Sequence, residues 1–119
     1  MLIATGVDDR TGKRIEVTDA LRALLESLVD RWSPLQIWLF GSRARGHAVP
    51  LSDWDLLVVV PDSTPDRDRD YDAVWEARRG SGIPVDLVVF TKAEFVEDQN
   101  VTNTLPYEVT VAGVLLYER

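Results

Sequence analysis

A chain of 119 residues is the size of one domain and leaves no room for two separately cored ones. Its 45% hydrophobic and 28% charged residues form a globular balance that excludes bulk disorder, and no apolar run approaches the roughly 18 residues of a membrane span. Thirteen Lys and Arg against twenty Asp and Glu give a formal net charge of −7, with the acidic residues concentrated after Pro50, which argues against an extended nucleic-acid surface. Cysteine is absent, so disulfide scaffolds, thiol catalysis and thiolate zinc sites are excluded and any metal would be oxygen-liganded. Met1 to Ala4 run into Thr5-Gly6-Val7-Asp8-Asp9 with no basic segment leading into an apolar one, which reads as a cytoplasmic chain.

Residues 1–17 alternate weakly and read as an N-terminal arm, either a short strand or a loose segment, ahead of a domain over 18–119. From Thr18 the apolar residues Leu21, Leu24, Leu25, Leu28, Val29 and Trp32 recur at helical spacing, which predicts an amphipathic helix capped by Thr18 or Asp19 and ended by Pro34. Leu35 to Phe40 is too short for a helix and suits a strand covered on both faces. Trp54 to Val60 is a second such strand, and Ile83 to Phe90 a third, interrupted by Pro84 and Asp86. Between them, Asp66 to Arg79 places acidic residues early and arginines late, which predicts one helix with Tyr71, Val74, Trp75 and Arg78 on one face. Short helices are predicted over 92–98 and 103–112, and a last edge strand over Val114–Tyr117. The pattern is α/β: a small mixed sheet of three to four strands flanked by helices.

The chemistry is concentrated in Gly41-Ser42-Arg43-Ala44-Arg45-Gly46 and Asp53-Trp54-Asp55. Gly41 follows a strand at once and Ser42 opens a short helix, so free backbone N–H groups and a hydroxyl form an anion site. Asp53 and Asp55, two apart at the start of a strand, share one face, while Trp54 points to the other, toward the core. Asp86 lies within an apolar strand, where an unpaired carboxylate would carry a large desolvation cost, so convergence of three carboxylates beside a phosphate cradle is the expectation. Hard oxygen ligands of this kind suit Mg²⁺ with a nucleoside triphosphate.

Gly41-Ser42, ten intervening residues, Asp53-x-Asp55 and a later Asp86 resemble the minimal nucleotidyltransferases of the DNA polymerase beta-like superfamily. The wording Gly-Ser-Arg-Ala-Arg-Gly and the small size are similar to the MNT antitoxins that accompany HEPN toxins. The resemblance implies that Gly41 and Ser42 hold the triphosphate; Arg43, beside that anion site, reads as a nucleotide contact or a partner contact. The resemblance also implies that Asp53 and Asp55 bind two Mg²⁺ ions, and that Asp86 joins them at the catalytic metal and helps activate the hydroxyl. It further implies transfer of AMP from ATP to a tyrosine of the cognate HEPN RNase, which blocks that toxin. Larger relatives carry extra domains that bind the acceptor; here the acceptor surface must come from a partner, from a second copy of the chain, or from the acceptor itself.

Arg45, Lys92 and Tyr107 receive no assigned role, and His47, the only histidine, reads as a surface loop residue. Two other functions stand beside the enzyme: an antitoxin or binding module that acts by docking alone, and nucleotidyl transfer to a small molecule such as an aminoglycoside. An intact set of Ser42, Asp53, Asp55 and Asp86 favours the protein-modifying enzyme over the first, and the missing second domain counts against the second.

Overall fold

The computed structural model describes residues 17–46 and 53–119, together with the backbone of Leu2 and Ile3. The rest of the expected N-terminal arm, apart from Val17, and His47 lie outside the described residues. Helix α1 (Asp19–Trp32) starts because the Thr18 hydroxyl accepts the Leu21 amide at 3.1 Å, pairing a donor that the first helical turn leaves free. It stops at Ser33, whose left-handed backbone (φ 43°) lets its N–H donate to the Val29 carbonyl just before Pro34.

Strand β2 (Gln36–Phe40) leads straight into a single helical turn, α2 (Gly41–Ala44). Strand β3 (Trp54–Val60) follows, then a 3₁₀ turn (Asp66–Asp68), helix α3 (Tyr71–Arg78), strand β4 (Val85–Thr91), helices α4 (Lys92–Asp98) and α5 (Leu105–Ala112), and strand β5 (Val114–Glu118). Leu2–Ile3 form a two-residue strand, β1, antiparallel to β5, so among the described residues the sheet runs β1-β5-β2-β3-β4, with the four expected strands joined by one from the N-terminal arm. All neighbours are antiparallel except β3 and β4, which run parallel. Parallel strands need a crossover, and the segment carrying α3 supplies it.

The single helix expected over 66–79 is split. Asp70 caps α3 by accepting the Ala73 amide at 2.9 Å, a task its short carboxylate performs better than it would serve a helix interior. The preceding turn is fastened to α1 by the Trp32 indole N–H, which donates to the Asp68 carbonyl at 2.6 Å. Thr91 starts α4 through a reciprocal capping box with Glu94, and Thr104 caps α5 with Pro106 in its first turn.

Strand alternation then builds two cores, one on each face of the sheet. Leu21, Leu25 and Leu28 of α1 and Ala77 of α3 pack on Leu56, Val58, Leu87 and Leu116. On the opposite face Phe95 of α4 and Val109 of α5 cover Trp38, Leu57 and Val59, with the Trp38 and Phe95 rings stacked at 6.3 Å. The face of α3 turned to the core is that of Val74 and Ala77; Tyr71 is 81% and Trp75 47% exposed, which corrects the grouping of Val74 with those two aromatics. Among the described residues no helix is long and apolar enough to cross a membrane.

Candidate functional site

Because β2 is antiparallel to β3, the end of β2 meets the start of β3, and Phe40 lies opposite Asp55. The parallel β3–β4 pairing sets Asp55 opposite Asp86. Residues in register on neighbouring strands point to the same side, and strands are spaced about 4.8 Å apart, so Asp55 and Asp86 stand next to each other on the face of α4 and α5. Asp53, one residue ahead of β3, is exposed at the same end. Trp54 turns to the α1 side and is buried, as the alternation requires.

Gly41 closes this end of the sheet. Its φ of 75° lies in the left-handed region, and a Cβ on it would run into the Asp55 carboxylate, with Cγ only 3.0 Å away. Glycine is therefore needed twice: to turn the chain out of β2, and to leave room for the Asp55 side chain. The turn that follows is only four residues long, so its dipole is small, and what it offers an anion is backbone N–H groups and the partly exposed Ser42 hydroxyl.

Burial, followed by the charges of Asp86 and Asp53, pushes the Asp55 carboxyl above its ordinary value, while Arg45 pulls it back. Arg45 is thus a basic side chain whose charge acts on Asp55, a role that position in the Gly-Ser-Arg-Ala-Arg run did not reveal. Arg43 instead lays its guanidinium over the Trp54 ring, 4.1 Å from the centroid. Lys92 begins α4 beyond the far end of β4, about 20 Å of strand from Asp86, and takes no part here.

The large desolvation cost expected at Asp86 does not arise. Its strand is the outer one of the sheet, and the side chain is exposed. The strand that looks fully apolar is buried through Val85, Leu87 and Thr91, with Asp86 projecting between them. Among the described residues no three Asp, Glu or His side chains come together closely enough to hold a metal ion, so the expected convergence of three carboxylates is reduced to the pair Asp55 and Asp86. What the site presents is an open donor set, Asp55 beside Asp86 with Asp53 near, of the kind Mg²⁺ accepts because it keeps waters and substrate phosphates in its own shell.

A Gly-Ser turn facing carboxylates on two neighbouring strands, at one end of a mixed sheet, is the arrangement of the nucleotidyltransferase class. The chain belongs to the nucleotidyltransferase domain family, whose profile matches residues 21–109. No curated protein matches it by sequence. Among solved structures it is similar to one described as a nucleotidyltransferase of Sulfolobus solfataricus, with 27% identity and a TM-score of 0.56 over 84% of this chain and 78% of that one. It is also similar to a toxin–antitoxin structure with AMP-PNP, with 25% identity and a TM-score of 0.57 over 86% of this chain and 75% of that one. The fold is shared with a chain from the tri-AMPylated Shewanella oneidensis HEPN toxin in complex with MNT antitoxin, at 24% identity and a TM-score of 0.51 over 82% of this chain and 69% of that one.

Proposed function

We propose that the chain is a Mg²⁺-dependent protein adenylyltransferase, with residues 18–119 as a minimal nucleotidyltransferase domain. It moves AMP from ATP to a tyrosine of a cognate HEPN toxin and thereby acts as the antitoxin. The observation that carries this reading is the in-register pair Asp55 and Asp86 set against Gly41, whose missing side chain leaves the Asp55 carboxylate its place. An AMP-PNP-bound relative supports a nucleoside triphosphate as donor. The toxin and its tyrosine follow from the resemblance of the motif to the MNT antitoxins.

In this reading the backbone of the Gly41–Ser42 turn and the Ser42 hydroxyl hold the departing phosphates, and Arg43 braces the turn against Trp54. Asp55 and Asp86, with Asp53 near them, would hold Mg²⁺, which would supply positive charge to offset that developing on the phosphates. The tyrosine oxygen forms a bond to the α-phosphorus, the bond from that phosphorus to the bridging oxygen breaks, pyrophosphate leaves, and Asp86 accepts the phenolic proton.

The test is intact-mass spectrometry of the toxin after incubation with this protein, Mg²⁺ and ATP. Addition of one or more AMP units, lost in Asp86→Asn, supports the transfer. A toxin that is inhibited without any mass gain would leave docking alone as the mode of action.

A further inference from the structure

A transferase has to seat two substrates on either side of its carboxylates. The Gly41–Ser42 turn leaves β2, on one side of Asp55; the other side is β4, whose far edge pairs with no strand among the described residues. At the start of β4, just before Asp86, an open cleft of about 250 Å³ is lined by Trp75, Arg78, Arg79, Ile83, Pro84 and Val85. Trp75 is 47% exposed, and Arg79 lies over its ring at 5.3 Å while bonded to Glu76. The Arg78 side chain is exposed and makes no ion pair or hydrogen bond among the described residues, its carbonyl alone accepting the Ser81 amide. Tyr71, one helical turn before Trp75, extends the aromatic stripe outward.

An exposed tryptophan, a tyrosine and an unpaired arginine on one helix face are the residue types that anchor protein partners. We infer that this cleft is the docking site of the acceptor, and that it takes an acidic, tyrosine-bearing protein segment. The inference rests on the transferase reading and adds where the acceptor binds and of what charge it is. Since β4 is the outer strand, a segment crossing its edge touches the Trp75 cleft on one face and Asp86 on the other. Arg78 attracts the acidic segment that Asp53, Asp55 and Asp86 would repel, so the acceptor approaches from the β4 side and not from the nucleotide side.

The probe is a fluorescently labelled random copolymer of glutamate and tyrosine, with a lysine–tyrosine copolymer as the charge-reversed control, and binding is read by anisotropy. Wild-type protein is expected to bind the acidic copolymer, and Trp75→Ala and Arg78→Glu are each expected to weaken it about tenfold or more. Both variants should keep the wild-type thermal shift with Mg²⁺ and ATP, which shows that the fold and the nucleotide site are intact. No binding of the acidic copolymer, equal binding by the variants, or preference for the lysine copolymer would overturn the inference. Loss of the ATP shift in Trp75→Ala with unchanged copolymer binding would make the cleft a nucleobase site and overturn it as well. If ATP fails to shift wild-type protein, the transferase reading falls, and the copolymer arms still decide what the cleft binds.

Discussion

Asp55 and Asp86 stand directly opposite each other across the parallel pairing of β3 and β4, and the charge of Asp86 adds to burial in raising the cost of charge on Asp55. A single connection, the crossover carrying α3, brings them together. This relationship and the contact of Gly41 with Asp55 yield specific expectations.

Gly41→Ala places a Cβ against the Asp55 carboxylate and forces an L residue into a left-handed backbone, which alone costs about 1–2 kcal/mol. The variant is expected to melt lower and to lose transfer. Adding Asp55→Ala removes the colliding carboxylate, so the double variant should melt higher than the sum of the single changes predicts. Strict additivity in thermal unfolding would show that the two residues do not share this space.

The pH dependence has a definite sign. The Asp55 carboxyl is raised in the fold, so the folded state holds its proton more tightly than the unfolded chain does. Its contribution to stability is full below the unfolded value of about 3.9, and is lost as pH rises through the higher folded value. Without divalent metal, Asp55→Asn should therefore gain stability over wild type as pH is raised from about 4 toward neutrality. Urea unfolding of both proteins in chelator measures this, and a stability difference independent of pH would contradict it.

Ser42 and Arg43 are adjacent but should fail differently. Ser42→Ala is expected to leave the melting temperature unchanged and to weaken ATP binding by about 1.5–3 kcal/mol, the range for a hydrogen bond to a charged group. Arg43→Ala removes the guanidinium from the Trp54 ring and should cost about 0.5–1 kcal/mol of stability without nucleotide. Calorimetric titration with ATP and thermal melts separate the two, and an Arg43→Ala protein with wild-type stability would mean that the stacking contributes nothing.

Asp86→Asn should abolish transfer while leaving the fold intact, because the side chain is exposed and Asn keeps its shape. Removing one of the charges beside Asp55 should also raise the melting temperature slightly in chelator. Mg²⁺ with a nonhydrolysable ATP analogue binds the native state, so it should stabilise wild type more than the variant. Equal stabilisation of the two would place the metal away from Asp86.

Local pattern alone was enough for the elements that carry the site. The 3.6-residue spacing of Leu21 to Trp32, the apolar runs at 35–40 and 54–60, and the Thr18 cap all depend on neighbours a few residues apart, and they fold as read. The alternation that turns Trp54 inward and sets Asp53 and Asp55 to the other side is likewise local. Pairing is not local. That β4 lies outermost and parallel to β3 depends on contacts between distant segments, and this makes Asp86 exposed although its sequence neighbours are apolar. The same holds for Trp75: whether an aromatic on a short helix enters the core is decided by which face α3 turns to the sheet, and Val74 and Ala77 take that face. Charge at Asp55 is set first by burial and then by Asp86, Asp53 and Arg45; burial, Asp86 and Arg45 act through the packed fold, so the tertiary structure determines the electrostatics of a motif whose residue types are plain in the chain.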